Sequence, residues 1–239
     1  MTQLTKYQLS DMLALGTAMR GMATGCTSME EVATRIVGYL YEALPDESGK
    51  SALVLARLYK THRSGDLDPT LRAFASDVMG SNVDADTRSL VLLATRGSEP
   101  AWNERSSSSG HKAIPLPDPE FIARLPMVCE VFRQFGVELS DVVGREKAAQ
   151  KPPDKRSYGV FLVESALGSP HIPAQTDFVV RHGVRSVMAF GGDLPNGDMF
   201  VTLLFSRVEI GRQLADLFSP LSLSVKLALL PFSHGRTFS

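Results

Sequence analysis

Four side chains that suit an anionic or aromatic ligand lie close together near the middle of the sequence. Arg96 ends an apolar run, and Trp102, Arg105 and His111 follow within the irregular stretch Ser98–Pro117. Two guanidinium groups and an imidazole beside one indole ring could clamp such a ligand. The alternative is that Arg105 is solvated, Arg96 forms a surface ion pair and Trp102 only packs the stretch onto a sheet.

Motifs of common catalytic and phosphate-binding sites do not occur. The sequence has no GxxxxGK[ST], HExxH or GxSxG, and no helix start follows Gly191-Gly192. The 5 histidines are not at ligand spacing, so we expect no metal site. A haem would need an axial histidine, for which His111 and His171 are the candidates in suitable loops. The residues identify no cofactor.

The two cysteines, Cys26 and Cys129, are too far apart to indicate a disulfide framework or a metal knuckle. Both stand in apolar contexts, which predicts buried small side chains in a reduced, cytoplasmic protein. Thiol catalysis would need a reactive thiolate with a resolving thiol beside it. No adjacent base activates either cysteine, so we predict that the protein is not an enzyme.

Composition narrows the class of partner. The chain has 239 residues and a formal net charge of −1, which gives no indication of a nucleic-acid-binding arm. The N-terminus lacks the pattern of a signal peptide. No run reaches the ~18 apolar residues of a membrane span. We therefore expect a soluble protein that binds neither nucleic acid nor membrane.

A hairpin in Phe178–Arg207 is the predicted centre of the fold. Two apolar runs flank a turn in which Asn196-Gly197 supplies positive φ angles. The runs are too continuous for half-exposed strands, so they predict the middle of a sheet that is covered on both faces. The other predicted strands are Ser51–Lys60, Thr87–Gly97 and Tyr158–Val163. In the first of these, Leu53, Leu55, Arg57 and Tyr59 are expected to share one face.

Helical periodicity and end signals predict five helices around this sheet. They cover residues 7–22, 28–44, 69–78, 118–136 and 208–230. Pro126 and Pro220 should kink or restart the last two. Within Ser98–Pro117 we expect Trp102 to be buried and Ser106–Gly110 to be exposed, because an indole is costly to leave in water. The charged, Pro-rich run Gly144–Arg156 predicts an exposed connection.

The stretch HGVRSVMAFGGDLPNGDMFVTLLF resembles the last two core strands of GAF sensory domains. The matching residues are Gly183, Val184, Arg185 and Ser186, with the turn Gly191–Gly197 between the strands. The resemblance covers about residues 25–230 and implies an α+β fold, a GAF-like central antiparallel sheet with helices packed on it. The N- and C-terminal helices would lie on one face. The chain departs from the pattern by its extra length at Ser98–Arg156.

The resemblance implies a non-catalytic, small-molecule-sensing or regulatory module in bacterial signal transduction. A histidine kinase or another effector would be its output partner, since the front regions of some hybrid histidine kinases are similar. The expected division is an N-terminal dimerisation helix at 1–24, the sensory domain at 25–232 and a tail at 233–239. The expected ligand-binding residues are Arg96, Trp102, Arg105, His111, His171 and Arg185. Of these, Arg185 holds the family position at a strand entrance, where it is expected to brace a neighbouring carboxylate or carbonyl.

Two alternatives stay open. The first is a ligand-free dimerisation or interaction module with a filled core. The second is a thiol-dependent enzyme similar to the free methionine sulfoxide reductases, although their three-cysteine pattern is missing. We also expect a homodimer through the terminal helices. Its interface would use Leu9, Met12, Leu13, Met19, Leu214, Leu217, Leu221, Val225 and Leu229.

Overall fold

Six strands form a single antiparallel sheet in a computed structural model that describes residues 2–108, 110–143 and 159–239. The strand order is β3-β2-β1-β6-β5-β4. The strands are β1 (Leu53–Arg63), β2 (Arg88–Gly97), β3 (Ala113–Leu116), β4 (Phe161–Val163), β5 (Ser186–Asp193) and β6 (Met199–Ser206). The predicted hairpin becomes β5 and β6, and β6 lies beside β1 at the centre. Gly197 in its turn has a φ of 82°, as the sequence predicts, whereas Asn196 does not adopt the positive φ that was also expected.

The helices follow the predicted start and stop signals closely. They are α1 (Leu9–Arg20), α2 (Met29–Ala43), α3 (Pro69–Met79), α4 (Pro119–Ala123), α5 (Pro126–Phe135), α6 (Leu139–Val143), α7 (Arg212–Asp216) and α8 (Leu221–Leu229). Side chains of Ser28, Asp68 and Asp118 cap α2, α3 and α4 by accepting a backbone N–H bond. Pro126 and Pro220 each stand where a helix restarts, because proline lacks the N–H that would continue the ladder.

The sheet is covered on both faces. On one face, here called the terminal-helix face, Ala56, Leu58, Phe190 and Leu204 pack in one cluster with α1, α2 and α8. On the other, here called the α5 face, residues of β1, β2, β5 and β6 pack against α4, α5 and α6. The terminal helices therefore lie on the same face, in accordance with the predicted α+β architecture.

Several sequence expectations need correction. Ser98–Pro117 is not wholly irregular, since it contains β3, which pairs with the start of β2. The helix α6 and a π-helical turn at Gln175–Val180 were not predicted. Leu53 does not share a face with Leu55, because the pairing of β1 with β6 shifts register between them. The predicted connection Gly144–Arg156 and the start of the predicted strand at Tyr158 lie outside the described residues.

The apolar stripes assigned to a dimer interface are mostly used within the chain. Met12, Met19, Leu221, Val225 and Leu229 are buried in the cluster on the terminal-helix face. Close packing of α1 on α8 explains this, since a Cβ at Gly16 would lie 2.8 Å from the Ser224 hydroxyl. The exposed large side chains of these helices are Leu9, Leu13, Leu223 and Leu227, here called the outer leucines.

One helical stretch, Arg212–Phe232, is long and apolar enough to cross a membrane, with a mean hydropathy of 1.3 and 39% of its most apolar window buried. Length and composition alone are weak evidence for a span, because core helices of soluble proteins meet the same criteria. Here Pro220 divides the stretch, and the buried side of α8 packs on α1 and β5.

Candidate functional site

The segment between β2 and β3, residues 98–112, contacts elements on both faces of the sheet. We call it the β2–β3 loop. On the α5 face, the buried hydroxyl of Ser108 accepts a hydrogen bond from the guanidinium of Arg57 at 3.2 Å. On the other side, Arg105 pairs with Glu30 in the first turn of α2 at 2.8 Å. Two residues of one loop, Ser108 and Arg105, thus join the middle of the sheet to the start of a helix.

Arg57 lies in the middle of β1 on the α5 face, surrounded by hydroxyl groups. Its guanidinium donates to the Tyr59 hydroxyl at 3.2 Å and to Ser108, while its buried Nε has no partner. Thr95 stands directly opposite on β2, is 3% exposed, and has a buried Oγ1 without a partner. We call Arg57, Tyr59, Thr95 and Ser108 the Arg57 centre.

His111 stands next to this centre in the β2–β3 loop. It has a φ of 58°, in the left-handed region that non-glycine residues seldom adopt. Burial lowers the pKa of the His111 imidazole, and the positive charge of Arg57 lowers that pKa further. A large part of the His111 side chain is still exposed, so the pKa is lowered by the part of the ring that faces the protein. The neutral imidazole leaves Arg57 as the charge of the centre.

The end of the chain is held against the start of α2. Arg236 and Thr237 accept hydrogen bonds from the N–H groups of Met29 and Glu30 at 3.0 and 2.8 Å. The Ser239 N–H donates to the Glu30 carboxylate at 3.0 Å. We call residues 236–239 the C-terminal strap. It supplies acceptors to helix N–H groups that have no partner within α2.

Phe238 fixes the strap to two other parts of the molecule. Its ring centroid lies 5.5 Å from that of His62 on β1, and the guanidinium carbon of Arg105 stands 4.7 Å from the ring centroid. The same arginine holds Glu30, which in turn accepts from the strap. The β2–β3 loop, α2 and the strap therefore share one contact point.

A second polar group is buried where β1, β2 and β6 meet. Lys60, which is 3% exposed, pairs with Asp198 at 2.5 Å, and Arg88 pairs with the other oxygen of Asp198 at 2.8 Å. Burial lowers the pKa of Lys60 although Asp198 opposes that shift. Burial would raise the pKa of Asp198, but Lys60 holds it below its usual value. These residues, with His62, form the Lys60 cluster.

The residues predicted to bind a ligand do not converge on one site. Arg96 reaches Glu42 on α2 across 3.8 Å with its own side chain partly buried, and Arg185 reaches Glu209 across 3.6 Å with both side chains largely exposed. Arg105 turns to α2 and the strap. His171 follows β4 in a separate loop, and only His111 neighbours the Arg57 centre. The pairing of Arg185 agrees with its predicted bracing of a carboxylate.

The structure places Trp102 and the serine run differently from expectation. Trp102 is only partly buried, with its ring edge-on to His182 and Phe178 at centroid distances of 4.7 and 5.7 Å. Ser106 and Ser107 are exposed as predicted, but Ser108 is 1% exposed. Its bond to Arg57 accounts for that burial, and Ser109 lies outside the described residues.

Sequence reasoning missed Arg57 and Thr95 as site residues. The available signal was a charged residue in the middle of an otherwise apolar strand, LVLARLY. Thr95 carried no such signal, because threonine is common in strands. Only the register between β1 and β2 places the two side by side.

The remaining candidates are weaker. A surface groove of about 440 Å³ lies along α3 and is lined by Arg72, Ser76 and Asp77. The Arg72 guanidinium donates to the carbonyls of Ser64, Gly65 and Leu67, so it is already engaged. Among the residues that the structure describes, no three His, Cys, Asp or Glu side chains come together as a metal site.

Neither a protein-family model nor a curated protein sequence matches the chain. Several solved structures are similar in fold. A free methionine-R-sulfoxide reductase from Neisseria meningitidis, in complex with its substrate, has a TM-score of 0.50 and 10% identity, covering 96% of this chain and 94% of that chain.

Two GAF domains are similar over the same extent. One, from a Coxiella burnetii phosphoenolpyruvate-protein phosphotransferase, has a TM-score of 0.48 and 12% identity, covering 94% and 95% of the two chains. The other, a phycoerythrobilin-bound domain of a cyanobacterial phytochrome, has a TM-score of 0.43 and 12% identity, covering 95% and 96%.

The reductase match, at a TM-score of 0.50 and 10% identity, supports a statement about fold alone. The sheet order, the helices on both faces and the placement of both terminal helices on one face agree with the architecture expected from the sequence. The reductase is itself GAF-like, and its match extends over nearly the whole of both chains. The protein therefore has a GAF-like fold.

Proposed function

We propose that the protein is a small-molecule-sensing regulatory module whose ligand site is the Arg57 centre. One observation carries this proposal: the β2–β3 loop joins a buried polar centre with orphaned groups to the chain terminus. A ligand at Arg57 would compete with Ser108 for the guanidinium. Movement of the loop would then reach Arg105, Glu30 and the strap.

The output side of this proposal is the terminal region. Release of the strap would uncover the N–H groups of Met29 and Glu30 and change the surface around α2. An effector such as a histidine kinase, in the same chain or a separate one, would read that change in the cytoplasm. Such a switch needs a ligand with unequal affinity for the strapped and released states.

Two other functions are supported less well. A ligand-free dimerisation module agrees with the outer leucines, but it leaves the orphaned Nε of Arg57 and Oγ1 of Thr95 unexplained. A methionine sulfoxide reductase would need two thiols at one site. Cys26 packs on the terminal-helix face, whereas Cys129 lies on α5 against the other face.

Native mass spectrometry of the chain purified from its own host tests the sensing function. We expect a bound small molecule that is lost on denaturation. Hydrogen exchange with and without that molecule should then show faster exchange at Met29 and Glu30 in the bound state. A chain that carries no small molecule and gains no protection from any compound in a broad metabolite library would contradict the proposal.

A further inference from the structure

We propose that the Arg57 centre binds the oxyanion of its ligand, a carboxylate or a phosphate, through Arg57, Tyr59 and Thr95. The inference rests on the proposed sensing function and names the class of molecule that the site would accept.

Arg57 holds a positive charge that pairs with no carboxylate in the part of the chain that the structure describes. Among the described residues its hydrogen-bond partners are the hydroxyls of Tyr59 and Ser108, and it takes part in no ion pair. Its Nε is buried and unpartnered. Other arginines that are half-buried or deeper, such as Arg88 and Arg105, face Asp198 and Glu30. A guanidinium that is partly removed from water and paired only with neutral groups is suited to take an anion.

Thr95 supplies a second unpartnered group on the same face. Cross-strand partners in an antiparallel pair project to the same side, so Thr95 and Arg57 stand next to each other. Buried hydroxyls are almost always hydrogen-bonded, and Oγ1 of Thr95 is not. One acceptor seated between Nε of Arg57 and Oγ1 of Thr95 would satisfy both. A bound oxyanion has the acceptor oxygens to do so.

The groups around Arg57 favour an anion over a neutral ligand. Tyr59 accepts from Arg57 and has no acceptor for its own proton among the described residues, so it can donate to a ligand. His111 adds no negative charge. Leu203 faces Arg57 on β6 and Leu55 lies two residues along β1, which provides an apolar wall beside the charged group. A small organic acid or a phosphorylated compound has this combination of an oxyanion and a less polar body.

The site is closed by Ser108, so binding must displace it. The Arg57–Ser108 bond is a link between a charge and a neutral hydroxyl. An oxyanion carries a full negative charge, and a planar guanidinium can donate two parallel N–H bonds to it, so this pairing is stronger than a single bond to a neutral hydroxyl. An incoming carboxylate or phosphate would therefore replace Ser108 rather than share Arg57 with it.

Calorimetric titration of the full chain with inorganic phosphate and with butyrate tests the proposal, and sodium chloride at matched ionic strength is the reference. The Nε–Hε signal of Arg57, observed by NMR, should shift with at least one probe and not with chloride. If only phosphate or only butyrate binds, the result identifies the ligand as a phosphate or as a carboxylate.

Variants identify the residues that bind. Arg57→Gln should weaken binding by about tenfold or more, because a hydrogen-bonded charge pair is lost. Thr95→Val keeps the volume and removes the orphaned hydroxyl, so it should fold normally and bind several-fold more weakly. Arg96→Gln is the matched control, because Arg96 directly follows Thr95 in the chain and its guanidinium faces Glu42 on α2. It should bind as the unmutated chain does.

The outcomes separate this inference from the sensing function. Failure of both probes to exceed chloride, or unchanged binding by both Arg57→Gln and Thr95→Val, would overturn the oxyanion assignment. If a neutral compound still binds and alters exchange at Met29 and Glu30, the sensing function stands without an oxyanion. If no compound binds at all, both proposals fail.

Discussion

Lys60 and Asp198 show how single residues hold a charge inside the sheet. Their side chains are 4% and 15% exposed, and Asp198 also accepts from Arg88. Burial of an ion pair is costly unless each charge has a close partner. Here one carboxylate serves two cations, so its removal would leave two buried positive charges without compensation.

Asp198→Asn should therefore lower the free energy of unfolding by about 3 kcal/mol or more, since a broken buried pair leaves uncompensated charge. Chemical denaturation followed by circular dichroism measures the change. Glu209→Gln is the control, because Glu209 is 80% exposed and pairs with Arg185 on the surface. It should have no measurable effect. Equal stabilities of Asp198→Asn and the unmutated chain would contradict the expectation.

His62 makes stability depend on pH. Burial lowers the pKa of His62 to about 3, and the charge of Lys60 acts in the same direction. The unfolded chain binds a proton at this position below about pH 6.5, whereas the folded chain does not until about pH 3. Stability from this group is thus complete above pH 6.5 and is lost as pH falls through that window.

His62→Gln should remove about 1.4 kcal/mol per pH unit from the slope of unfolding free energy between pH 6 and 4, because one pKa unit corresponds to that energy. Denaturant titrations over this range provide the measurement. His234→Gln, at an exposed histidine, is the matched control and should retain the slope of the unmutated chain. Parallel curves for His62→Gln and the unmutated chain would show that His62 does not titrate as described.

The C-terminal strap and α2 act together as one element. The strap supplies backbone acceptors to the first turn of α2, and Phe238 anchors it between His62 and Arg105. The sequence predicted residues 233–239 as a tail beyond the last helix. Backbone acceptors carry no sequence signal, so the role of the strap could not be predicted from residue types.

Phe238→Ala should release the strap and make the amides of Met29 and Glu30 exchange about fivefold faster or more. A cation–π contact of about 1 kcal/mol corresponds to that change in local opening. Hydrogen exchange read by NMR resolves these two amides from those in the middle of α2, which should not change. The control Leu167→Ala removes an exposed leucine outside this region. Unchanged protection at Met29 and Glu30 would mean that Phe238 does not hold the strap.

The positions of the helices were easier to predict from the sequence than the surfaces on which the helices pack. Asp118 with Pro119 and Ser28 with Glu31 mark helix starts by local chemistry, and α4 and α2 begin there. The faces of α1 and α8 were harder to predict. Met12 and Leu221 belong to apolar stripes, but a stripe does not say whether its partner is the same chain or a second copy.

At the scale of the whole molecule, the outer leucines form an exposed apolar group that no other part of the described chain covers. Leu9, Leu13, Leu223 and Leu227 are 57%, 55%, 56% and 41% exposed on the two terminal helices. An exposed apolar patch of this kind often marks an interface between proteins. We propose that a second copy of the chain covers it, with α1 and α8 of both copies forming a helical bundle.

Light scattering should give a dimeric mass for the unmutated chain and a monomeric mass for Leu13→Glu and Leu227→Glu, because a buried carboxylate would oppose association. Leu167→Glu, at a leucine that is 67% exposed elsewhere, should stay dimeric. Met12→Glu and Leu221→Glu do not test the interface, since both residues are core positions and these changes would destabilise the monomer itself. A monomeric mass for the unmutated chain at micromolar concentration would contradict the dimer.

The amino-acid sequence by itself determined most of the local elements and, through the resemblance it carries, the architecture, but β3, α6 and the π-helical turn were not predicted. The local signals depend on neighbours along the chain, so they can be recognised in the sequence. They are the alternating and 3.6-residue apolar patterns, the helix caps, the prolines and the Asn196-Gly197 turn. Only the tertiary structure decided the candidate site. Arg57, Thr95 and Ser108 come from two strands and a loop, and the register of β1 with β2 is what leaves two of them with orphaned groups side by side. Pairings of this kind depend on side chains far apart in sequence, and no local pattern records them.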